Sequence, residues 1–109
     1  MVILFEDEKF AKECNNLRLL QRQHGKVRAR RILQRLADLA GADTLEDMRN
    51  APGRCHELHG DRAGQLSMDL DHPYRLLFRP GATARKPDGG LDWTRLRAVI
   101  VIGVADTHE

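Results

Sequence analysis

Apolar residues recur along this chain with two different periods. Val2-Ile3-Leu4-Phe5 is a short apolar run with β-branched members, and it ends at once in Glu6, Asp7 and Glu8. That is the pattern of a short buried strand. Asp7 can cap a helix whose first turn suits Glu8. Phe10, Cys14, Leu17 and Leu20 follow at helical spacing, and Gly25 is a stop. A second helix is predicted from about Lys26 to Ala40. Val27, Ala29, Ile32, Leu33, Leu36 and Leu39 make its inner face, Arg28, Arg31, Arg35 and Asp38 its outer one, and Gly41 ends it. The two helices read as an antiparallel hairpin. Thr44 followed by Asp47 resembles a capping box, which predicts a short helical turn over Leu45–Arg49 that Pro52-Gly53 ends.

Beyond Pro52 the period becomes two. Cys55 to His59 is a predicted strand, and Gly60-Asp61-Arg62-Ala63-Gly64 supplies a hairpin loop. Leu66, Met68 and Leu70 alternate with Ser67 and Asp69, as in a half-buried strand. Asp71-His72-Pro73 turns the chain into a strand over Tyr74–Arg79. Pro80 to Asp92, rich in Gly, Pro and charge, reads as a flexible loop, with Trp93 packing it down. Arg97 to Val104 is apolar enough for a central strand, and the tail from Ala105 is polar. A strand, a helical hairpin and an antiparallel meander give an α+β fold with helices on one face of the sheet.

Length changes this picture little: 109 residues predict one domain, 1–109. No apolar run approaches the roughly 20 residues that cross a bilayer. The acids after Phe5 leave no leader pattern, so a secretory signal is not expected. Cys14 and Cys55 match neither a disulfide framework nor a zinc spacing, and a reducing cytoplasm is the expected compartment. Charge matters through its distribution. The net charge is +2, yet Arg22, Lys26, Arg28, Arg30, Arg31 and Arg35 follow one another with no acidic residue between them. Such a stripe attracts phosphate or an acidic partner segment, although a solvated outer face has the same composition.

The chemistry is narrowed by exclusion. His56 and His59 are three apart, which puts them on opposite faces of a straight strand, and no zinc spacing surrounds them. No metal is expected. Ser67 and Thr107 lack a nucleophile-elbow context, and the glycines form no phosphate loop. Histidines and arginines with a carboxylate remain, a set suited to cleaving RNA without metal. A base must take the 2′-hydroxyl proton, cations must stabilise the phosphorane, and an acid must protonate the leaving 5′-oxygen. Imidazole can serve at either end.

Several segments carry a family resemblance. Leu45-Glu46-Asp47-Met48-Arg49, Cys55-His56-Glu57-Leu58-His59-Gly60-Asp61-Arg62-Ala63-Gly64-Gln65-Leu66-Ser67, Tyr74-Arg75-Leu76-Leu77-Phe78 and Asp106-Thr107-His108 follow in the order found in HigB-type toxins of the RelE/ParE superfamily. Pro87-Asp88-Gly89-Gly90-Leu91-Asp92-Trp93 resembles an insertion in one branch of that group. The resemblance spans most of the chain from Val2 onward. It implies a RelE/ParE-like fold and, as an activity, cleavage of translated mRNA on the ribosome without a cofactor. It also implies a HigA-like helix-turn-helix antitoxin that holds the toxin inactive and carries it to operator DNA. Matched by motif, His56 takes the place of the first functional histidine, Arg62 that of the arginine after Gly-Asp, and Arg75 that of the phosphate-contacting strand arginine. Asp106 and His108 take the C-terminal positions. His59, Arg28, Arg31, Arg35 and Arg79 are the expected substrate-binding cations. Two positions depart from the pattern: His59 stands where many relatives have Lys, and Thr107 where many have Tyr. A His is a cation only while protonated and Thr cannot stack on a base. The alternative reading is therefore a non-catalytic module of the same fold that binds an antitoxin and acts in operator repression or on another target.

Overall fold

The computed structural model describes residues 1–106. Strand β1 (Val2–Phe5) is followed by helices α1 (Glu8–Cys14), α2 (Leu17–His24) and α3 (Lys26–Gly41), then a 3-10 turn over Leu45–Asn50. Strands β2 (His56–Glu57), β3 (Leu66–Asp69), β4 (Tyr74–Pro80) and β5 (Ala98–Asp106) complete the chain. They form a five-stranded sheet in the order β1-β5-β4-β3-β2. Neighbours are antiparallel except β1, which lies parallel to β5 at the edge, with Val2 opposite Ala98 and Phe5 opposite Val101. The expected α+β layout is therefore present, with the first strand built into the sheet beside the last.

The first predicted helix is two helices. Asn15 leaves the helical conformation and Asn16 is extended, with its Oδ1 accepting from the Leu19 amide at 3.2 Å as the cap of α2. Two consecutive Asn side chains offer the backbone local partners that compete with a continuous helix. The first helix still starts where its cap predicts, with Asp7 Oδ1 accepting from the Lys9 amide. At the far end of α3, the Met1 amino group donates to the carbonyls of Leu39, Ala40 and Ala42, so a positive charge caps the negative end of the helix.

The core lies between helices and sheet. Leu20, Ala29, Ile32, Leu39, Leu45 and Met48 meet Leu66, Met68, Leu76, Phe78, Val99 and Val101 there. Glu13 is buried with them and meets His24, whose Nε2 lies 2.8 Å from its Oε1. His24 is thus a half-buried partner rather than the surface residue its place at a helix end suggests. Burial of an acid is tolerable only with such pairing.

The long loop after β4 is not loose. Ala84 and Leu91 are buried in the core, the Asp92 amide donates to the Ala84 carbonyl at 2.8 Å, and the Lys86 amide to the Gly90 carbonyl at 2.7 Å. Its Gly and Pro residues make fixed turns around two apolar anchors. Trp93 packs inside as expected, its Nε1 donating to Glu57 Oε2 at 3.0 Å and the Arg49 guanidinium lying 4.1 Å from its ring centre. Among the described residues no helix is long and apolar enough to cross a membrane.

Candidate functional site

Strand alternation sends Leu66, Met68, Leu76 and Phe78 toward the helices, and so sends Ser67, Asp69, Arg75, Leu77 and Arg79 to the opposite face. His56 joins that second face because it pairs with Ser67. Arg75 pairs with Asp69 on one side and Ala105 on the other. The side chains that converge there are His56, Asp69, Arg75 and Arg54.

Asp69 is the centre of this cluster. Its carboxylate accepts from Arg54 Nε at 2.7 Å and Nη2 at 3.3 Å, and lies 3.2 Å from Arg75 Nε. Partial burial pushes its pKa up, but the Arg54 hydrogen bond and the charges of Arg54, Arg75 and His56 outweigh this and hold it below the ordinary carboxylate value. Asp69 thus stays ionised, and with two guanidinium groups against one carboxylate the cluster keeps a net positive charge. Arg75 is nearly buried, whereas Arg54 is 63% exposed and offers the rest of its guanidinium to solvent.

His56 is fixed by its own neighbourhood. Its Nδ1 lies 2.7 Å from the Arg54 carbonyl oxygen, which can only accept. The ring proton therefore sits on Nδ1, and Nε2 is the nitrogen left to take up a proton. Arg54 has φ +50, the conformation that bends the chain out of the Pro52-Gly53 turn and puts this carbonyl under the imidazole. Beside the cluster is a hollow of about 90 Å³ lined by Arg54, Asp69, His72, Tyr74 and Arg75, with room for one small anion.

Other expected site residues are elsewhere. Arg35 was assigned to the outer face of its helix as a substrate contact, and this is wrong. It is 6% exposed, with Nε donating to the Asp69 backbone oxygen at 2.7 Å. The reason is periodic: Arg35 follows Ile32 by three and precedes Leu39 by four, so it shares their buried stripe. Val27, assigned inward, is 55% exposed. Arg28 is also committed within the fold, with two hydrogen bonds to Asp71 at 3.0 and 3.2 Å and its guanidinium 3.5 Å from the Tyr74 ring centre. Arg31 is exposed on the helix surface. Arg79 shares the site face but its Nε donates to Glu6 at 3.1 Å.

Arg62 belongs to a 3-10 turn, Gly60–Arg62, in the β2–β3 connection. That turn precedes Leu66, so it lies at the end of β3 remote from Asp69. The predicted strand over Cys55–His59 shortens to His56–Glu57 because this turn begins at once, and His59 is exposed at its start. Asp106 pairs with Tyr74, which places it on the helix side of the sheet, opposite to Arg75. His108 lies outside the described residues. Of the expected catalytic set, the structure therefore brings together His56 and Arg75. Arg54 and Asp69 join them without having been expected. An Arg one residue past Pro-Gly and an acid in the alternating strand were the only signals for them. Ser67, set aside above as a nucleophile, is wholly buried between His56 and Leu77 with an Oγ lacking a hydrogen-bond partner. Among the described residues no three His, Cys, Asp or Glu side chains gather as a metal site would need.

Neither family models nor curated proteins give a match to this sequence. Solved structures do. The chain is similar to a YoeB/ParE toxin from Agrobacterium tumefaciens, with a TM-score of 0.61, 12% identity, and coverage of 99% of this chain and 100% of that one. It is also similar to a chain of the YoeB-YefM complex from Staphylococcus aureus, with a TM-score of 0.58, 14% identity, and coverage of 100% and 98%. With helices on one face of an antiparallel-rich sheet and these neighbours over nearly its whole length, the chain has a RelE/ParE-type toxin fold.

Proposed function

We propose that this protein is the toxin of a type II toxin-antitoxin pair, of the HigB type, and that it cleaves translated mRNA on the ribosome. The observation that carries the reading is the convergence of His56, Arg54 and Arg75 around Asp69 on the sheet face away from the helices. His56 Nε2 removes the proton from a 2′-hydroxyl. The resulting oxygen attacks phosphorus, the P–O2′ bond forms and the P–O5′ bond breaks, leaving a cyclic phosphate and a 5′-hydroxyl. Arg54 and Arg75 bind the non-bridging oxygens and stabilise the charge that builds on them. Asp69 sets both guanidinium groups in place before the phosphate arrives and shares them with it afterwards. His108, one residue past Thr107, is the proposed acid for the leaving oxygen.

The partner is a HigA-like helix-turn-helix antitoxin, through which the pair would reach operator DNA. The similar Staphylococcus aureus chain comes from a complex of YoeB with YefM, which supports an antitoxin partner. A groove along α2 and α3 supports an acidic partner segment, because Leu17 and Leu33 line it, Lys26 and Arg30 rim it, and no acid lines it among the described residues.

The test is induction of the chain in growing bacteria with primer-extension mapping of translated messages. Growth arrest with new cuts inside reading frames is expected. His56→Ala and Arg75→Ala should each lower cleavage by about 100-fold or more. Growth arrest with intact messages would replace the nuclease by the non-catalytic reading of the same fold.

A further inference from the structure

The two edges of the sheet are protected differently. β2 is two residues long, too short a template for another strand. β1 carries four apolar residues with neither a proline nor a charge among them. Its Val2 amide donates to the Arg97 carbonyl and the Glu6 amide to the Val101 carbonyl, each at 2.9 Å. Even-numbered positions thus turn their backbone groups to β5, and the amides and carbonyls of Ile3 and Phe5 point out of the edge. Val2 and Leu4 are 58% and 49% exposed. They lie on the face away from the helices, because their partners Ala98 and Ile100 alternate with the buried Val99 and Val101.

A second copy of this chain fits the edge in one register. Outward backbone groups must meet outward backbone groups, so Ile3 and Phe5 have to stand opposite Ile3 or Phe5 of the copy. In an antiparallel pairing centred on Leu4, Ile3 faces Phe5 of the copy and Phe5 faces its Ile3, each pair exchanging two hydrogen bonds. Leu4 then lies against Leu4 of the copy in the close, non-hydrogen-bonded position, and the neighbouring Ile100 side chains extend this contact into one apolar row. Centring on Ile3 instead calls on the Met1 amino group, which is committed to the end of α3. Centring on Phe5 sets Leu4 against the Glu6 carboxylate. Charge agrees with the Leu4 register. Glu6 is already paired with Arg79 of its own chain at 3.1 Å. The positive Met1 amino group donates only to carbonyls and the Asp7 carboxylate accepts from the Lys9 amide, and each of these charges comes to face the other across the two copies.

We infer that β1 is a homodimer edge, joining two copies of this chain about a two-fold axis at Leu4 into one continuous sheet. The inference is independent of the ribonuclease reading. At the usual strand spacing β3 lies about 17 Å from the axis, so the Asp69 clusters of both copies stay open on the same face. A four-residue edge is smaller than a standard interface of about 1,600 Å², so the dimer forms and parts with concentration in about the micromolar range.

The test is sedimentation of the full chain over a dilution series, with amide exchange followed by NMR. A monomer–dimer equilibrium is expected. The Ile3 and Phe5 amides should exchange at least about tenfold more slowly in concentrated than in dilute solution, while the Leu4 amide, which faces β5, is unchanged. Leu4→Lys and Leu4→Glu each set like charges across the axis and should weaken the dimer about tenfold or more, and a one-to-one mixture of the two should restore it. Because Leu4 is exposed, both variants should melt like the parent chain. A chain that stays monomeric at every concentration, a dimer that survives Leu4→Lys, or variants that fail to pair on mixing overturn the inference. So does an edge whose Ile3 and Phe5 amides become protected only when a different protein is bound.

Discussion

Arg35 Nε, buried inside α3, donates to the backbone oxygen of Asp69 at 2.7 Å. One helical side chain thereby holds the strand end that carries the central carboxylate of the site. The Asp69 amide is anchored as well, donating to the Gly53 carbonyl at 2.7 Å, and Gly53 lies against the Arg35 guanidinium. Helix, turn and strand meet at this point, and the side chains of Arg54 and Asp69 emerge from it toward the site face.

Replacing Arg35 should therefore cost stability where replacing Arg31 does not. Arg35→Ala leaves a buried carbonyl without its charged donor, a loss of about 1.5–3 kcal/mol. Arg31→Ala, on the exposed surface, should stay within about 0.5 kcal/mol. Urea unfolding of the two variants makes the comparison. Equal effects would remove Arg35 from its structural role.

Gly53 has φ +103, and a Cβ built there would stand 2.7 Å from Arg35 Nε. Gly53→Ala should destabilise the chain by about 1–3 kcal/mol, from backbone conformation and overpacking together. A Gly64→Ala control, with φ +89 but open space around it, should cost less. Thermal melts of both variants test this.

Acid should weaken the fold through Asp69. Its pKa in the folded chain lies below the 3.8 of an ordinary aspartate, so on acidification the unfolded chain takes up the proton first. The stability this carboxylate contributes is full above the unfolded value and is lost as the pH falls through the folded one. Asp69→Asn should lower stability at neutral pH and flatten the acid limb between about pH 5 and 2. Urea midpoints across that range decide it, and a limb as steep as that of the parent chain counts against Asp69.

Both cysteines should be slow to alkylate. Burial, with Glu13 nearby, pushes the Cys14 thiol up to about 12. Burial does the same for Cys55, also to about 12, with Arg49 opposing and Glu57 assisting. At pH 8 iodoacetamide should react with the folded protein at least about 100-fold more slowly than with the unfolded chain. The linkage also has a sign: thiols that ionise later in the folded state cost stability above about pH 9. Rapid labelling of either thiol in the native protein contradicts its placement.

Much of this architecture was legible in the residues. Caps at Asp7 and Thr44, the alternation from Leu66 to Leu70 and the apolar run from Ala98 to Ile102 mark elements that fold where they point. What escaped were decisions made by tertiary contact. Asn15-Asn16 reads as an interruption only once Asn16 is seen capping a new helix. Arg35 looks like surface until its stripe is compared with Ile32 and Leu39, because charge outweighed period in assigning its face. Within the site, His56 and Arg75 were visible as chemistry-bearing residues on predicted strands. Arg54 and Asp69 were not, since their meeting depends on the Gly53 turn and on the β2–β3 register. Asp106 looks well placed in sequence, but one step of strand alternation turns it to the other face.

The position of β5 sets an order on biosynthesis. It lies between β1 and β4, yet every other element is translated before it. On a ribosome β1 waits through α1 to β4 for the neighbour it will lie beside, and such distant pairing is slow to close. While β5 is still inside the exit tunnel, the nascent polypeptide has a gap in the middle of its sheet. A chain with the activity proposed above would thus have no complete sheet from which to cut a message until β5 has emerged.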